Sequence, residues 1–457
     1  MLILILAYYL AQSAHSEAGP IAAPIELRDI ASCDGQRRQR TLANIIWSCL
    51  STIVLCTWVA VHPNVQFRPE KQGQGWFEKG LWNPLHEAVT FKLPLFLWAL
   101  LFPEYILSWA VRQYLQAGVI SKQVPRWTRT HGNFMIMGGF HLFRLPADAP
   151  SIPLPLKSRE PSNFINPAGI HNREDEIPVC PLKFEDFPVD ILRIIAPTET
   201  ELKDRGKSDS LTKIIVLVQT LWFVIQCIAR GTQKLPLTEL EVVTLAYATL
   251  NLFIYIFWWD KPRNVECPIR VYKTATASHE ESGKEAEGWE GNWVWRWVQK
   301  VIAYSIGAQD HYVKLSAECS IPTFWSGRVE NRLLADAGLG PSLLGSAFGA
   351  IHCIVWSSVF SSCAERIMWH VSCVAMIAVP FVVTILCVVM VVGLRKSDVF
   401  DGWNAVILII CSNLLMLSGW LYIASRIVTL VIAFAALRSL APAAFTTVDW
   451  TTFIPHI

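Results

Sequence analysis

The feature that most constrains this chain is a series of nearly charge-free apolar runs. A hydrocarbon core about 30 Å thick is crossed by roughly 20 such residues in helix. Residues 42–61, LANIIWSCLSTIVLCTWVAV, carry no charge. Residues 89–111 are apolar apart from Lys92 near one end and Glu104 inside. Residues 211–229 and 237–259 form a pair joined by the short RGTQKLP turn, and 343–363, 369–394 and 403–422 follow. In a last run, 427–445, Arg426 and Arg438 bound a short apolar core. Helices apolar on every face belong to membranes rather than to soluble cores. The predicted fold class is therefore all-α, a polytopic transmembrane helical bundle of seven or eight spans.

Composition narrows the function classes. The chain is 53% hydrophobic and 17% charged, and it contains 20 Trp. Disordered chains need few aromatics and high net charge. With 39 Lys+Arg against 37 Asp+Glu, a nucleic-acid-binding surface is not expected. Of 12 Cys, most lie in or beside the apolar runs, and no C-x-x-C spacing occurs. Neither a disulfide framework nor a metal site is predicted.

The polar segments organise the rest. Residues 1–41 form an N-terminal segment whose apolar start reads as a signal peptide or a short membrane segment. Residues 42–145 hold the first two spans and a Gly-broken re-entrant or interfacial element over 127–145, flanked by His131 and His141. Residues 146–210 read as a Pro-rich and charged cytosolic loop, and 211–259 as a transmembrane hairpin. Residues 260–342 read as a second cytosolic loop, with Trp289, Trp293, Trp297 and Val301 on one face of an interfacial helix. Residues 343–457 hold the remaining spans and a tail. Basic residues near span ends divide into roughly 20 on one side and roughly 6 on the other. That count predicts a cytosolic pre-span segment, together with loops 112–210, 260–342 and 395–402.

Polar residues inside apolar runs are expensive and therefore informative. On the third run, Thr212, Gln219, Gln226 and Arg230 fall within about 40° on a helical wheel. On the fourth, Glu241, Thr244, Asn251 and Tyr255 fall within about 80°. The short connection makes these helices antiparallel neighbours, bringing Arg230 within reach of Glu239 and Glu241. Gln219, Gln226, Arg230, Glu239, Glu241 and Asn251 are the candidate binding residues. The plainer reading is interhelical hydrogen bonding that holds the hairpin together. Glu104, Glu241 and His352 are the candidate acids or bases, with Arg426 or Arg438 as partners for Glu104. Gly345 and Gly349 have the G-x-x-x-G spacing that lets helices approach closely.

No Walker loop, D-D-x-x-D, H-E-x-x-H, G-x-S-x-G or C-x-x-C-H motif occurs. No cofactor and no metal are predicted. Three functions are compatible with the residues. One is a non-ATP-driven transporter, channel or sensor. The others are a membrane-embedded enzyme acting on a lipid, isoprenoid or fungal secondary metabolite, and a membrane scaffold. The expected partners are the lipid bilayer and a hydrophobic small molecule, in an endomembrane or the plasma membrane.

Several segments carry a resemblance: residues 38–64, THGNFMIMGGF at 130–140, residues 218–248, WWDKP at 258–262, GAIHCIVW at 349–356 and TTVDWTTFIPHI at 446–457. Together they resemble an uncharacterised family of fungal polytopic membrane proteins. The resemblance implies an integral membrane protein and carries no activity and no site residue.

Overall fold

The computed structural model describes residues 39–65, 85–86, 88–145, 151–154, 164–167, 177–206, 210–265, 267–273, 293, 296–297, 315, 318–327, 331–396 and 402–450. The apolar N-terminal start and most of the Trp-rich stretch 289–301 lie outside the described residues. In chain order the helices are α1 (Leu42–Ala60), α2 (Leu93–Leu101), α3 (Pro103–Gln123), α4 (Arg129–Ile136), α5 (Val189–Ile195) and α6 (Glu199–Arg205). They continue with α7 (Ser210–Thr232), α8 (Glu239–Phe257), α9 (Asn331–His352), α10 (Cys363–Lys396) and α11 (Gly402–Ala436). The strands are β1 (Phe140–Arg144), β2 (Ser151–Pro153), β3 (Phe164–Pro167), β4 (Ile177–Pro181) and β5 (Ile269–Lys273).

Local chemistry sets several helix starts. The Thr41 side chain accepts from the Asn44 amide at the head of α1. Thr238 and Glu241 form a reciprocal capping box at the head of α8, satisfying two amides that the helix leaves free. α8 is the central helix, packed against α1, α3, α7, α9 and α11.

Five helices among the described residues are long and apolar enough to cross a membrane: α1, α7, α8, α10 and α11. The expectation of seven or eight spans differs from this for identifiable reasons. Run 403–422 and run 427–445 as far as Ala436 are one continuous helix, α11, because Arg426 finds partners inside the bundle and does not interrupt it. Run 343–363 is not a complete span. α9 begins earlier, at Asn331, and closes in a 3-10 turn at Cys353–Val355.

Run 89–111 is broken. A π-helical turn, Ala88–Lys92, leads into α2, and α2 and α3 meet at Phe102 with a bend of 108°. Pro103 has no amide hydrogen to continue the helical ladder. The α2–α3 pair enters and leaves the bundle at the same end. Lys92, Leu95 and Phe96 at its start lie against Trp58, Val61 and Arg263. Gln113 near its exit bonds Asn64, Trp258 and Lys261. The bend lies deeper, against Tyr247 and Arg426.

The all-α expectation is corrected by a five-stranded sheet of order β2-β3-β5-β1-β4. β1 pairs parallel with β5, Phe140 opposite Ile269, and every other pairing is antiparallel. The 127–145 element forms α4 and β1. The sheet was hidden because its strands are short and their partners lie far apart in sequence. β1 and β5 are brought together where α4 and α8 end. A second core of Phe134, Phe140, Phe164, Phe187, Leu192 and Val271 packs the sheet against α4–α6.

The sidedness also changes. Arg40, at the start of α1, bonds Glu241 at the start of α8, whereas His62 and Asn64, after α1, bond Lys261 after α8. α1 and α8 are therefore parallel, and Arg40 lies at the end opposite the sheet. The expectation that the pre-span segment shares a side with loops 112–210 and 260–342 assumed that residues 89–111 cross. They turn back instead.

Candidate functional site

The break between α2 and α3 frees backbone carbonyls that a continuous helix would satisfy. The Leu100 carbonyl is one of them. It accepts from the Tyr247 hydroxyl at 2.6 Å and from Arg426 Nη2 at 3.2 Å. Two residues beyond Phe102, Glu104 stands in the first turn of α3, where a carboxylate is favoured by the helix dipole. Arg426 Nη1 reaches Glu104 Oε1 and the Tyr422 hydroxyl, each at 3.4 Å. The guanidinium also lies over the rings of Phe348, 4.0 Å from its centroid, and Tyr247, at 4.9 Å. Arg426 is 2% exposed, so this cation is held by one carboxylate, one carbonyl and aromatic faces.

Gly345 makes room for the carboxylate. A Cβ built there would stand 2.7 Å from Glu104 Cγ and 3.3 Å from Pro380. Gly349, one turn on, lies against the backbone of α10 at Met376 and Ile377. His352 is buried at the end of the same helix. Its Nδ1 is 2.8 Å from the Phe348 carbonyl, and its ring packs on Phe348 and Trp369. Arg426, which holds Glu104, and His352 thus both contact one aromatic, Phe348.

The second candidate group lies at the end remote from the sheet. Both oxygens of Glu241 are taken: Arg40 binds bidentately, and the Thr238 amide and hydroxyl donate at 2.9 and 3.0 Å. Arg230 does not bond Glu241. It donates to the carbonyls of Pro236, Thr446 and Ala444, at 2.8, 2.7 and 3.2 Å, and so fastens the C-terminal tail. Gln233 adds two bonds to the Asp449 backbone, and Trp450 stacks on Trp222. Glu239 is buried beside Glu241.

The stripe on α7 is not the line that α7 buries. Its buried residues are Val216, Thr220, Phe223, Cys227, Ala229 and Arg230, while Gln219 and Gln226 are half-buried and Thr212 is exposed. Asn251 bonds the Tyr247 carbonyl at 2.9 Å and Thr57 and Cys56 of α1 at 3.2 and 3.3 Å, joining α8 to α1. The two lone histidines have local partners. His131 caps α4 with Thr128 and meets the Pro197 carbonyl, and His141 meets that of Cys319.

A buried lysine escaped the sequence reading. Lys261 is 1% exposed, and its Nζ donates to the His62 carbonyl at 2.6 Å, Gln113 Oε1 at 2.8 Å and Asn64 Oδ1 at 3.2 Å. It lies 4.7 Å from the ring centroids of both Trp109 and Trp258. Burial pushes its amine well below the usual lysine range. The signal in the sequence was the WWDKP segment itself, a lysine two residues past an apolar run that ends in two tryptophans.

Two of the hollows at the surface flank these elements. One is lined by Trp58, Val61, Lys92, Phe96, Arg263 and Asn264, and the other by Gln233, Leu235 and residues 446–449. Neither is lined by Glu104, Glu241 or His352. Among the described residues no group of three His, Cys, Asp or Glu could hold a metal ion.

A model for a family of unknown function (DUF8562) matches residues 190–278. That stretch holds α5 to α8, the WWDKP turn and β5, and so includes Arg230, Glu241, Asn251 and Lys261. No curated protein and no solved structure matches the chain.

Proposed function

We propose that the chain is a multi-pass membrane protein of a fungal polytopic family, acting as a non-ATP-driven transporter, channel or sensor. The working site is the Glu104–Arg426 pair at the bend between α2 and α3. The membrane reading is supported by the outer face of α7, where Ile214, Ile215, Val218, Leu221, Trp222 and Ile228 are all exposed. A continuous apolar exterior of this kind suits lipid and not water.

One observation carries the site: the 108° break that puts an ionisable carboxylate and its arginine at the apex of a helix pair that turns back. Interrupted helices at membrane depth are tolerated where protein or a water-filled cavity covers them, and they commonly mark substrate or ion sites. Glu241, Arg230 and Asn251, by contrast, are saturated by partners that hold helices and tail together. The enzyme reading calls for a closed apolar cavity ending at Glu104, Glu241 or His352, and none of these three lines either of the two hollows described above.

The test is complementation of a deletion strain, read by metabolite profile and protein abundance. Glu104→Gln should reach the membrane at normal abundance yet leave the deletion profile uncorrected. Full correction by Glu104→Gln would remove Glu104 from the mechanism. Recovery of the wild-type chain in the soluble fraction after alkaline extraction would overturn the membrane reading itself.

A further inference from the structure

The hollow at the sheet end of the bundle combines three features: cations, a rim of aromatic rings and an apolar surface alongside. It is walled by the last turn of α1, the first turn of α2 and the turn after α8. Lys92 and Arg263 line it, with Asn264 between them and the edge-to-face rings of Trp58 and Phe96 at 5.7 Å. Arg263 Nη2 donates to the Trp58 carbonyl at 3.0 Å, which orients the guanidinium. Its Nε is buried with no hydrogen-bond partner among the described residues. The Tyr255 hydroxyl, 3% exposed as a residue and close enough to act on the Arg263 charge, is buried without a partner as well.

Among the described residues the charge near the hollow is mostly positive. Lys213, Arg263 and Lys261 all act on His62, and their positive charges, after burial, push its imidazole well below the ordinary histidine range. Asp260 is the acid that acts on Lys213 here. A cluster of this sign attracts an anion, and a buried guanidinium N–H without an acceptor is a donor waiting for one. The surface beside the hollow identifies the kind of anion. Val54, Trp58, Leu93 and Leu97 are exposed apolar residues on the two helices that wall it, and Trp58 also lines the hollow.

We propose that this hollow binds the head-group phosphate of an anionic phospholipid, with Lys92, Arg263 and Asn264 on the phosphate and the acyl chains along α1 and α2. Basic pockets between membrane helices bind anionic head groups in this way. A lipid there would seat the start of α2 against α1 and so brace the helix pair that carries Glu104. The inference rests on the membrane placement of these helices, and not on what Glu104 does.

The experiment uses the full chain purified in a neutral detergent, incubated with phosphatidylglycerol or phosphatidylcholine and read by native mass spectrometry. Phosphatidylglycerol should be retained in preference to phosphatidylcholine. Lys92→Gln and Arg263→Gln should each reduce that preference by roughly fivefold. Lys92→Gln leaves the Arg263–Trp58 bond intact, so it reports on binding even if Arg263→Gln fails to fold. Excess inorganic phosphate should not displace the lipid. Equal retention of the two lipids, or an unchanged preference in Lys92→Gln, would overturn the proposal. Displacement by phosphate would also overturn it, as the mark of a soluble-anion site. Alkaline extraction of the membranes from which the chain is purified separates these outcomes from failure of the membrane reading.

Discussion

Arg40 closes a bidentate ion pair on Glu241 from 201 residues away in sequence. The pair ties the start of α1 to the start of α8, so the two helices run parallel and the sheet gathers at their other ends. The same residue holds the tail, because Arg40 Nε donates to the Ala444 carbonyl at 2.8 Å and its amide to that of Phe445 at 2.7 Å. Removing the guanidinium strands a carboxylate whose residue is 4% exposed. Arg40→Ala is expected to cost about 3 kcal/mol, read as a lower unfolding temperature in detergent. Glu241→Gln, which retains the Thr238 bonds, should cost less. A coupling energy near zero in the Arg40/Glu241 double-mutant cycle would show that the pair is not an energetic link.

The parallel arrangement can be tested with the native cysteines. Cys267 and Cys319 are exposed at the sheet end, and Cys363 is exposed at the start of α10. That start lies at the Arg40 end, where Ser361 meets Ser439 beyond α11. In sealed vesicles a membrane-impermeant maleimide should label Cys363 or the Cys267/Cys319 pair, but not both. Labelling of all three in intact vesicles would contradict this sidedness.

Gly345 is a steric requirement of the Glu104 site. Gly345→Ala introduces a methyl 2.7 Å from Glu104 Cγ, on a carboxylate that Arg426 holds in place. The expected destabilisation is about 1–3 kcal/mol. Because the clash is with Glu104, the companion variant Glu104→Ala should relieve it, and thermal unfolding of the double variant measures the relief. Additive losses would mean that Pro380, not Glu104, meets the methyl.

Stability should fall on mild acidification. Burial pushes His141 below its ordinary range, and burial with the nearby cations does the same to His62. Below the unfolded value near 6.5 the unfolded chain takes up protons that the folded chain refuses. Each histidine then lowers stability by up to about 1.4 kcal/mol per pH unit as pH falls from 6.5 toward its folded value. The unfolding temperature should therefore drop between pH 7 and pH 5, and His141→Asn should make the drop shallower. An unchanged slope in that variant would remove His141 from the acid response.

The apolar runs and the close approach at Gly345 and Gly349 were legible in the sequence. Each depends on residue type and short spacing, which a single chain displays directly. Three other features were decided by tertiary structure. Pro103 in an apolar run reads the same whether the helix kinks and continues or turns back. The choice was made by Gln113 finding Asn64, Trp258 and Lys261 at the end the pair had entered. Glu241 had two arginines within possible reach, and the nearer in sequence, Arg230, is drawn instead to the tail carbonyls. The sheet joins strands of three to five residues whose hydrogen bonds are made between distant segments. Hydropathy and capping are local properties; the choice of partner for a buried charge or a strand edge is settled only when distant segments compete for it in the fold.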